Sequence, residues 1–169
     1  MIPTETERKY LIRMPDDETL LAIEGCEKSR IVQTYLKSEQ NEPHVSERIR
    51  KREYADKTIY THTTKKRISS MSALEDEEQI SRESYKLLKL RRDPDKRRIR
   101  KFRYAIPWRD HVVEIDVYPF WEKQAVMEIE LKSETEQVDL PPFVEVIREV
   151  TGDRAYSNNS LSKKIPDED

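Results

Sequence analysis

Charged residues of the same sign recur two positions apart along six short segments of this chain. Residues i and i+2 of a β-strand project from the same face of the sheet, so each pair indicates one ionic strand face. The pairs are Glu5/Glu7 (with Lys9 next in phase), Arg48/Arg50, Glu75/Glu77, Lys101/Arg103, Glu114/Asp116 and Glu128/Glu130. The alternate positions are often apolar, as at Val113, Ile115 and Val117. The pattern predicts strands with one ionic and one apolar face.

Period-two alternation predicts eight strands, at about residues 3–13, 30–37, 45–54, 57–67, 74–80, 97–107, 111–119 and 125–133. Helices are expected at about 16–24, 78–91 and 141–152, the last between Pro141-Pro142 and Gly152. Adjacent strands with short connections indicate an antiparallel meander, and closing it into a barrel removes its edges. We expect one domain over residues 1–169, mainly β within the α+β class: an eight-stranded antiparallel β-barrel with flanking helices.

Two orientations of the strands are compatible with this pattern. The ionic faces could lie in water around an apolar core, or they could face inward and line a charged tunnel whose apolar outside is covered by helices. The second is favoured because pairs of like charge would repel one another on an open surface without compensation. Converging carboxylates would form an oxygen site for Mg²⁺ or Mn²⁺, and facing arginines would hold a polyanion. Metal and basic residues together are typical of phosphoryl transfer.

Composition excludes several function classes. The two glycines rule out a glycine-rich phosphate loop, and the single cysteine, Cys26, rules out an internal disulfide. Lys and Arg number 32 against 34 Asp and Glu, and this near-balance argues against a nucleic-acid partner. The basic run 91–101 is accordingly interpreted as a solvated turn rather than an RNA contact. No long apolar run or signal-peptide core occurs, so we expect a cytoplasmic protein without a membrane partner.

The segment Glu5-Thr6-Glu7-Arg8-Lys9 resembles the Glu-x-Glu-x-Lys signature of the CYTH superfamily, the triphosphate tunnel metalloenzymes. Further segments follow in the family's order: Arg48-Ile49-Arg50, Thr63-Thr64-Lys65, Glu75-Asp76-Glu77, Lys101-Phe102-Arg103, Glu114-Ile115-Asp116 and Glu128-Ile129-Glu130. The resemblance covers the chain from Glu5 almost to its end. It implies a barrel that binds triphosphate compounds with a divalent metal; the family includes inorganic tripolyphosphatases, thiamine-triphosphatases, RNA triphosphatases and class IV adenylate cyclases.

The resemblance also implies roles for individual residues. The implied metal ligands for Mg²⁺ or Mn²⁺ are Glu5, Glu7, Asp116, Glu128 and Glu130. The implied phosphate-binding residues are Lys9, Arg48, Arg50, Lys65, Lys101 and Arg103, with Lys163 or Lys164 closing one tunnel end. The implied catalytic residues are Glu5, Glu7, Lys9, Glu75 and Glu77. Strand alternation favours Lys65 over Lys66 as the residue that faces the tunnel.

The expected function is metal-dependent hydrolysis of a small-molecule triphosphate, with inorganic triphosphate favoured over nucleoside triphosphates. Alternatives are a class IV-type adenylate cyclase, a thiamine-triphosphatase and a non-catalytic polyphosphate- or nucleotide-binding module. A homodimer is possible, and the sequence does not decide the oligomeric state. Two positions depart from the family pattern: Ala73 stands where many members have arginine, and Phe120 where a glycine often occurs.

Overall fold

The computed structural model describes residues 2–37 and 44–169. Its strands are β1 (Thr4–Arg13), β2 (Glu27–Tyr35), β3 (Val45–Glu53), β4 (Thr58–Arg67), β5 (Ser72–Ile80), β6 (Ile99–Trp108), β7 (His111–Val117), β8 (Gln124–Glu130) and β9 (Val146–Glu149). Its α-helices are α1 (Asp17–Leu21), α2 (Arg82–Leu88) and α3 (Asn158–Leu161), and short 3₁₀ turns span Lys89–Arg91 and Arg154–Tyr156. None of these helices is long and apolar enough to cross a membrane.

The first eight strands close into an antiparallel barrel, as the sequence predicts. Their order around the barrel is β5-β4-β3-β2-β6-β7-β8-β1, and β1 closes it by pairing with β5 through Thr4–Thr6. The connectivity is not the single meander expected from the short connections. Strands β2–β5 form one meander and β6–β8 another, while β1 completes the barrel between β8 and β5. Each of the eight predicted strands lies within three residues of its observed bounds.

The helix predictions are less accurate. The first helix is shorter than predicted, and residues 78–80 of the second belong to β5. The helix expected over 141–152 is wrong, because that segment forms β9 instead. β9 pairs with the part of the β1 edge that β5 leaves uncovered, at Tyr10–Ile12. The Val150 amide donates to the Lys9 carbonyl at 2.8 Å and extends this pairing.

Apolar side chains occupy the outer face of one half of the barrel. The buried cluster there comprises Tyr10, Ile12, Tyr104, Ile106, Val113, Ile115, Met127 and Ile129. Leu20 of α1 covers it, together with Phe143, Val144 and Val146 from the segment that leads into β9. Since burying these side chains removes a large apolar area from water, the cover stabilises an inside-out arrangement in which the ionic faces point inward.

A second apolar cluster closes one end of the barrel. It comprises Leu11, Tyr35, Ile99, Tyr118, Trp121, Val126, Val150, Tyr156 and Leu161. Trp121 packs edge-on against Tyr118 at 5.6 Å and lies 6.2 Å from Tyr156, so the large aromatics pack rather than stand free. The interior is therefore apolar at this end and ionic beyond it.

Candidate active site

A cavity of about 410 Å³ lies inside the barrel, and its walls are almost entirely ionic or polar. Nine basic residues line it: Lys9, Arg48, Arg50, Arg52, Lys65, Arg67, Lys101, Arg103 and Arg154. Six acidic residues line it: Glu5, Glu7, Glu75, Glu77, Glu114 and Glu128. The basic excess makes the cavity suited to a polyanion rather than to a neutral ligand.

The two signs of charge come from different strands. β3 contributes Arg48, Arg50 and Arg52 at alternate positions, whereas β1 contributes Glu5 and Glu7. Because alternate residues of a strand share a face, a strand such as β3 presents a row of one sign to the cavity, whereas β1 adds Lys9 to its two glutamates. β3 is separated from β1 by β4 and β5, so the arginine row stands apart from the glutamate row.

Lys65 of β4 joins two acidic strands. Its Nζ lies 3.0 Å from Glu5 Oε2 and 3.7 Å from Glu75 Oε2, while Arg48 approaches the other Glu75 oxygen at 3.6 Å. Burial, a hydrogen bond to Glu5 and the Glu5 charge raise the pKa of Glu75 to about 7. Burial opposes ionisation of Glu5, but the bond to Glu75 and the Lys65 charge hold its pKa below the usual value. The two carboxyls therefore share a proton near neutral pH. Lys66, by contrast, is exposed outside the barrel.

Two further ion pairs join residues that the sequence predicts for the site. Arg50 pairs with Glu77 at 3.3 Å, and Thr63 donates to the same Glu77 oxygen at 2.8 Å. Burial and the charge of the neighbouring arginine in its row lower the pKa of Arg50 to about 10, so it remains protonated at neutral pH. Across the cavity, Lys9 pairs with Glu128 at 3.3 Å.

Glu7 is the carboxylate that the barrel leaves uncompensated. In the described ranges its side chain makes no hydrogen bond or ion pair. Burial and the negative charge of Glu128, followed by that of Glu5, raise the pKa of Glu7 to about 8. Glu128 itself remains ionised: burial opposes ionisation, but the charges of Lys9, Arg103 and Lys101 together lower its pKa to about 2. The cluster thus has a site where additional positive charge would be strongly stabilised.

Asp116 does not take the predicted metal-ligand position. It is fully buried and is absent from the residues that line the cavity. Lys101 Nζ donates to Asp116 Oδ2 at 2.7 Å, and Arg103 donates through Nε to Oδ1 and through Nη2 to Oδ2. Burial opposes ionisation, but these two cations hold the pKa of Asp116 far below its usual range. Asp116 is therefore a buried counter-ion that fixes two cavity-lining cations.

Two other predicted residues lie outside the cavity wall. Glu130 pairs in register with Glu7 but is exposed at the barrel end, where burial, Glu5 and Glu114 raise its pKa. Lys163 and Lys164 are exposed and are absent from the residues that line the cavity, so closure of the tunnel end by either lysine stays a prediction. That end is bordered by Arg154 and by residues 157–160, which include the first turn of α3.

The donor set fits a hard divalent cation in its chemistry. Glu5, Glu7 and Glu128 offer carboxylate oxygens from the neighbouring strands β1 and β8, and Mg²⁺ and Mn²⁺ prefer such oxygens. In residues 2–37 and 44–169, no three His, Cys, Asp or Glu side chains converge closely enough to bind a metal as they stand. The reason is visible in the ion pairs, because Lys65 holds Glu5 and Lys9 holds Glu128. A divalent cation held by Glu5, Glu7 and Glu128 would compete with Lys65 and Lys9 for these carboxylates.

The sequence reasoning missed four charged residues of the cavity. Arg52 extends the β3 arginine row by two positions, and Arg67 lies two positions beyond Lys65, so strand phase alone could have found both. Glu114 belongs to a recognised charge pair but had no assigned role; it pairs with Arg103 at 2.9 Å. Arg154 lies in a 3₁₀ turn, where no periodic signal exists.

Solved structures share this architecture. The inorganic triphosphatase NE1496 aligns over 99% of both chains, with 26% sequence identity and a TM-score of 0.60. PH1819 from Pyrococcus horikoshii OT3 covers 78% of this chain and 80% of its own, with 19% identity and a TM-score of 0.59. The Hippeastrum protein HpAC1, an adenylyl cyclase candidate with a dominant triphosphatase activity, covers 75% and 80%, with 16% identity and a TM-score of 0.54. The last two likenesses concern the fold alone.

No protein-family model and no curated protein matches the sequence. The likeness to NE1496 covers 99% of this chain at 26% identity.

Proposed function

This chain has the triphosphate tunnel fold of the CYTH superfamily, and from that premise we propose that it hydrolyses inorganic triphosphate with a divalent metal ion. The observation that carries the proposal is the cavity, in which nine basic and six acidic side chains face one another inside a closed barrel. A linear polyanion needs the first set and a metal ion bound beside it needs the second. The inorganic triphosphatase NE1496 has the same architecture over the full length of the chain.

The basic residues bind and orient the phosphate chain. Arg48, Arg50 and Arg52 point into the cavity at alternate positions of β3, about 6.8 Å apart along the strand. Guanidinium groups donate to two phosphate oxygens at once, so a row of them fixes the direction of a linear substrate. Lys9 on β1 and Lys65 on β4, the strand beside the arginine row, would transfer from their carboxylate partners to the phosphates.

The metal would be held by Glu5, Glu7 and Glu128, and Mg²⁺ and Mn²⁺ are the ions we propose. When bound, the ion supplies positive charge that offsets the charge on the phosphate oxygens. Glu7 is the first ligand to consider, because among the six acidic cavity residues it is the one that forms no ion pair in the described ranges.

Glu75 is proposed to accept the proton of the attacking water at Oε2. That oxygen is buried, and Lys65 Nζ, at 3.7 Å, is too far away to donate a hydrogen bond to it. Its pKa of about 7, raised by burial and by Glu5, suits a general base that operates near neutral pH. Arg48 and Lys65 lie on either side of this carboxyl and would hold the phosphate beside it.

The cavity walls favour an inorganic substrate over a nucleotide. Tyr35 and His44 carry the aromatic rings among the described cavity residues, and Tyr35 is 3% exposed and accepts a hydrogen bond from Gln33. The ring of Tyr35 is therefore covered, and the other described walls are ionic or polar apart from Val45 and the exposed His44, so the described cavity offers little surface on which an adenine would stack.

Phosphate release tests the proposal. With Mg²⁺ or Mn²⁺ present, the protein is expected to release orthophosphate from inorganic triphosphate faster than from ATP. Glu7→Gln should lower kcat at least about 100-fold, because it removes charge that holds the metal. Asp76→Asn is the matched control: Asp76 lies between Glu75 and Glu77 on β5 but is exposed outside the barrel, so its variant should keep full activity.

Two results would contradict the proposal. One is undiminished turnover in Glu7→Gln with a fold that matches the wild type. The other is cyclic AMP and pyrophosphate as the main products from ATP, with no phosphate released from inorganic triphosphate; that result would assign a cyclase.

A further inference from the structure

The outer wall of the barrel between α1 and α2 carries basic side chains around one exposed aromatic ring. Arg100 and Phe102 are alternate residues of β6 that face outward, and Arg98 precedes them in the same phase. On the neighbouring strand β2, Arg30 lies directly opposite Phe102, and Lys28 lies one pair further along. We call Lys28, Arg30, Arg98, Arg100 and Phe102 the outer basic stripe.

The positive charges of the stripe's arginines are not balanced by ion pairs with carboxylates in the described ranges. None of its three arginines forms an ion pair with a carboxylate in the described ranges. The acidic neighbour opposite Arg30 is Glu53, which already pairs with Lys51 at 3.1 Å. At the α1 end, Asp17 pairs with Lys28 at 2.7 Å. Three guanidinium charges are therefore open to an external anion.

Phe102 is the unusual member of the stripe. It is 40% exposed, whereas Tyr104, the next outward residue of β6, is 5% exposed beneath α1. The ammonium of Lys28 lies 4.8 Å from the Phe102 centroid, and the exposed remainder of the ring is framed by Arg30 and Arg100. An exposed ring on a sheet, flanked by cations, is the arrangement on which proteins stack single-stranded bases.

We propose that the outer basic stripe binds a single-stranded oligonucleotide, with its phosphates at the arginines and a base on Phe102. The net charge of −2 argues against binding by diffuse charge, and the nine basic and six acidic residues of the cavity leave the rest of the protein more negative still, so binding must depend on this local cluster of cations. An acidic peptide would satisfy the arginines but would leave the ring uncovered. The stripe lies on the opposite face of β6 from Lys101 and Arg103, so this proposal does not depend on the function of the cavity.

Fluorescence anisotropy with a labelled single-stranded RNA of about 12 nucleotides tests the proposal, since one binding fold covers up to about 16. A 5′-hydroxyl end keeps the probe from presenting a triphosphate to the cavity. With three arginines at phosphates, log K should fall with log salt concentration with a slope of about −2. Arg100→Gln should reduce the slope by about 0.7, and Phe102→Ala should weaken binding about fivefold or more without changing the slope.

Arg13→Gln is the matched control. Arg13 is an exposed arginine on β1, on the other side of the barrel, and it forms no ion pair in the described ranges, so this variant makes the same change of charge. It should leave both affinity and slope unchanged. Equal weakening by Arg13→Gln and Arg100→Gln would overturn the proposal, because binding would then depend on diffuse charge.

Three other results would also overturn it. The first is no anisotropy change at about 100 μM protein and low salt, a concentration at the weak end of non-specific binding. The second is displacement of the RNA by inorganic triphosphate, which would place the RNA at the cavity. The third is a poly-glutamate peptide that binds as tightly as the RNA and is unaffected by Phe102→Ala, which would assign the stripe to acidic proteins.

Discussion

Asp116 and Glu7 both belong to same-sign pairs in the sequence, yet they have opposite environments in the barrel. Asp116 is 1% exposed and is held by Lys101 and Arg103, whereas Glu7 has no cationic partner in the described ranges. The difference arises from the strand order, because β7 lies beside β6 with its two cations and β1 lies beside β8 with its glutamates. A pattern within one strand contains no information about its neighbour, so sequence assigns both residues the same role.

Removing the Asp116 charge should destabilise the protein whether or not metal is present. Asp116→Asn leaves two buried cations without their counter-ion, which costs about 3–5 kcal/mol for a broken buried pair. For a chain of this length the melting temperature should fall by about 10 °C. Thermal unfolding in EDTA measures this effect. If Asp116 were a metal ligand with no structural role, Asp116→Asn would leave the melting temperature in EDTA unchanged.

Removing the Glu7 charge should have the opposite effect, and the effect should depend on pH. The folded-state pKa of about 8 exceeds the ordinary value of 4.5, so the folded protein retains a proton that the unfolded chain releases. The stability that the retained Glu7 proton gives the folded protein is fully present below pH 4.5 and is lost as pH rises through about 8. In EDTA, Glu7→Gln should therefore match the wild type near pH 4.5 and melt a few degrees higher at pH 9.

Magnesium provides the control for this interpretation. At pH 9 Mg²⁺ should raise the melting temperature of the wild type by supplying the missing positive charge, and should raise that of Glu7→Gln much less. Equal melting temperatures of wild type and Glu7→Gln at pH 9 in EDTA would show that burial and the neighbouring glutamates do not destabilise the ionised form of Glu7.

The eight barrel strands were predictable from sequence because each contains its own signal. Alternation over seven or more residues, bounded by turn residues, defines a strand without reference to any other element. β9 has no such independence, since it is four residues long and forms where β5 leaves the β1 edge open. Pro141 and Gly152 satisfy the sequence rules for a helix start and stop, but pairing with β1 overrides them. The sequence likewise predicts which residues face inward, but not which of them pair.

NMR distinguishes the observed β9 strand from the helix that the sequence predicts over residues 141–152. Residues 146–149 should show extended-type carbon chemical shifts, and the Val150 amide, which donates to Lys9, should exchange slowly with solvent. Arg13 should also show a slowly exchanging amide, because it donates to the Glu145 carbonyl at 2.9 Å. Helical shifts over 141–152 would restore the sequence prediction and leave this β1 edge without a partner.

At the scale of the whole molecule, ion pairs in the resting cavity link the two sets of residues needed for function. Lys65 holds Glu5 and Lys9 holds Glu128, so the phosphate-binding lysines mask the proposed metal ligands. An anion that draws the lysines away exposes the carboxylates, and a cation on the carboxylates releases the lysines. The two ligands should therefore bind with positive coupling, and thermodynamic linkage requires that coupling to be reciprocal.

Calorimetry with orthophosphate, which cannot be hydrolysed further, measures this coupling without turnover. Saturating orthophosphate should tighten Mg²⁺ binding at least about fivefold, the lower end of typical coupling energies. Lys65→Gln removes the partner of Glu5, so it should tighten Mg²⁺ binding without any anion and lose most of the coupling. Lys66→Gln, one residue along β4 but exposed outside the barrel, makes the same change of charge and should behave as the wild type. If Lys65→Gln retained the full coupling, masking of the carboxylates by lysine would not be its cause, because the affinity gain could then come only from direct contact between the two ligands.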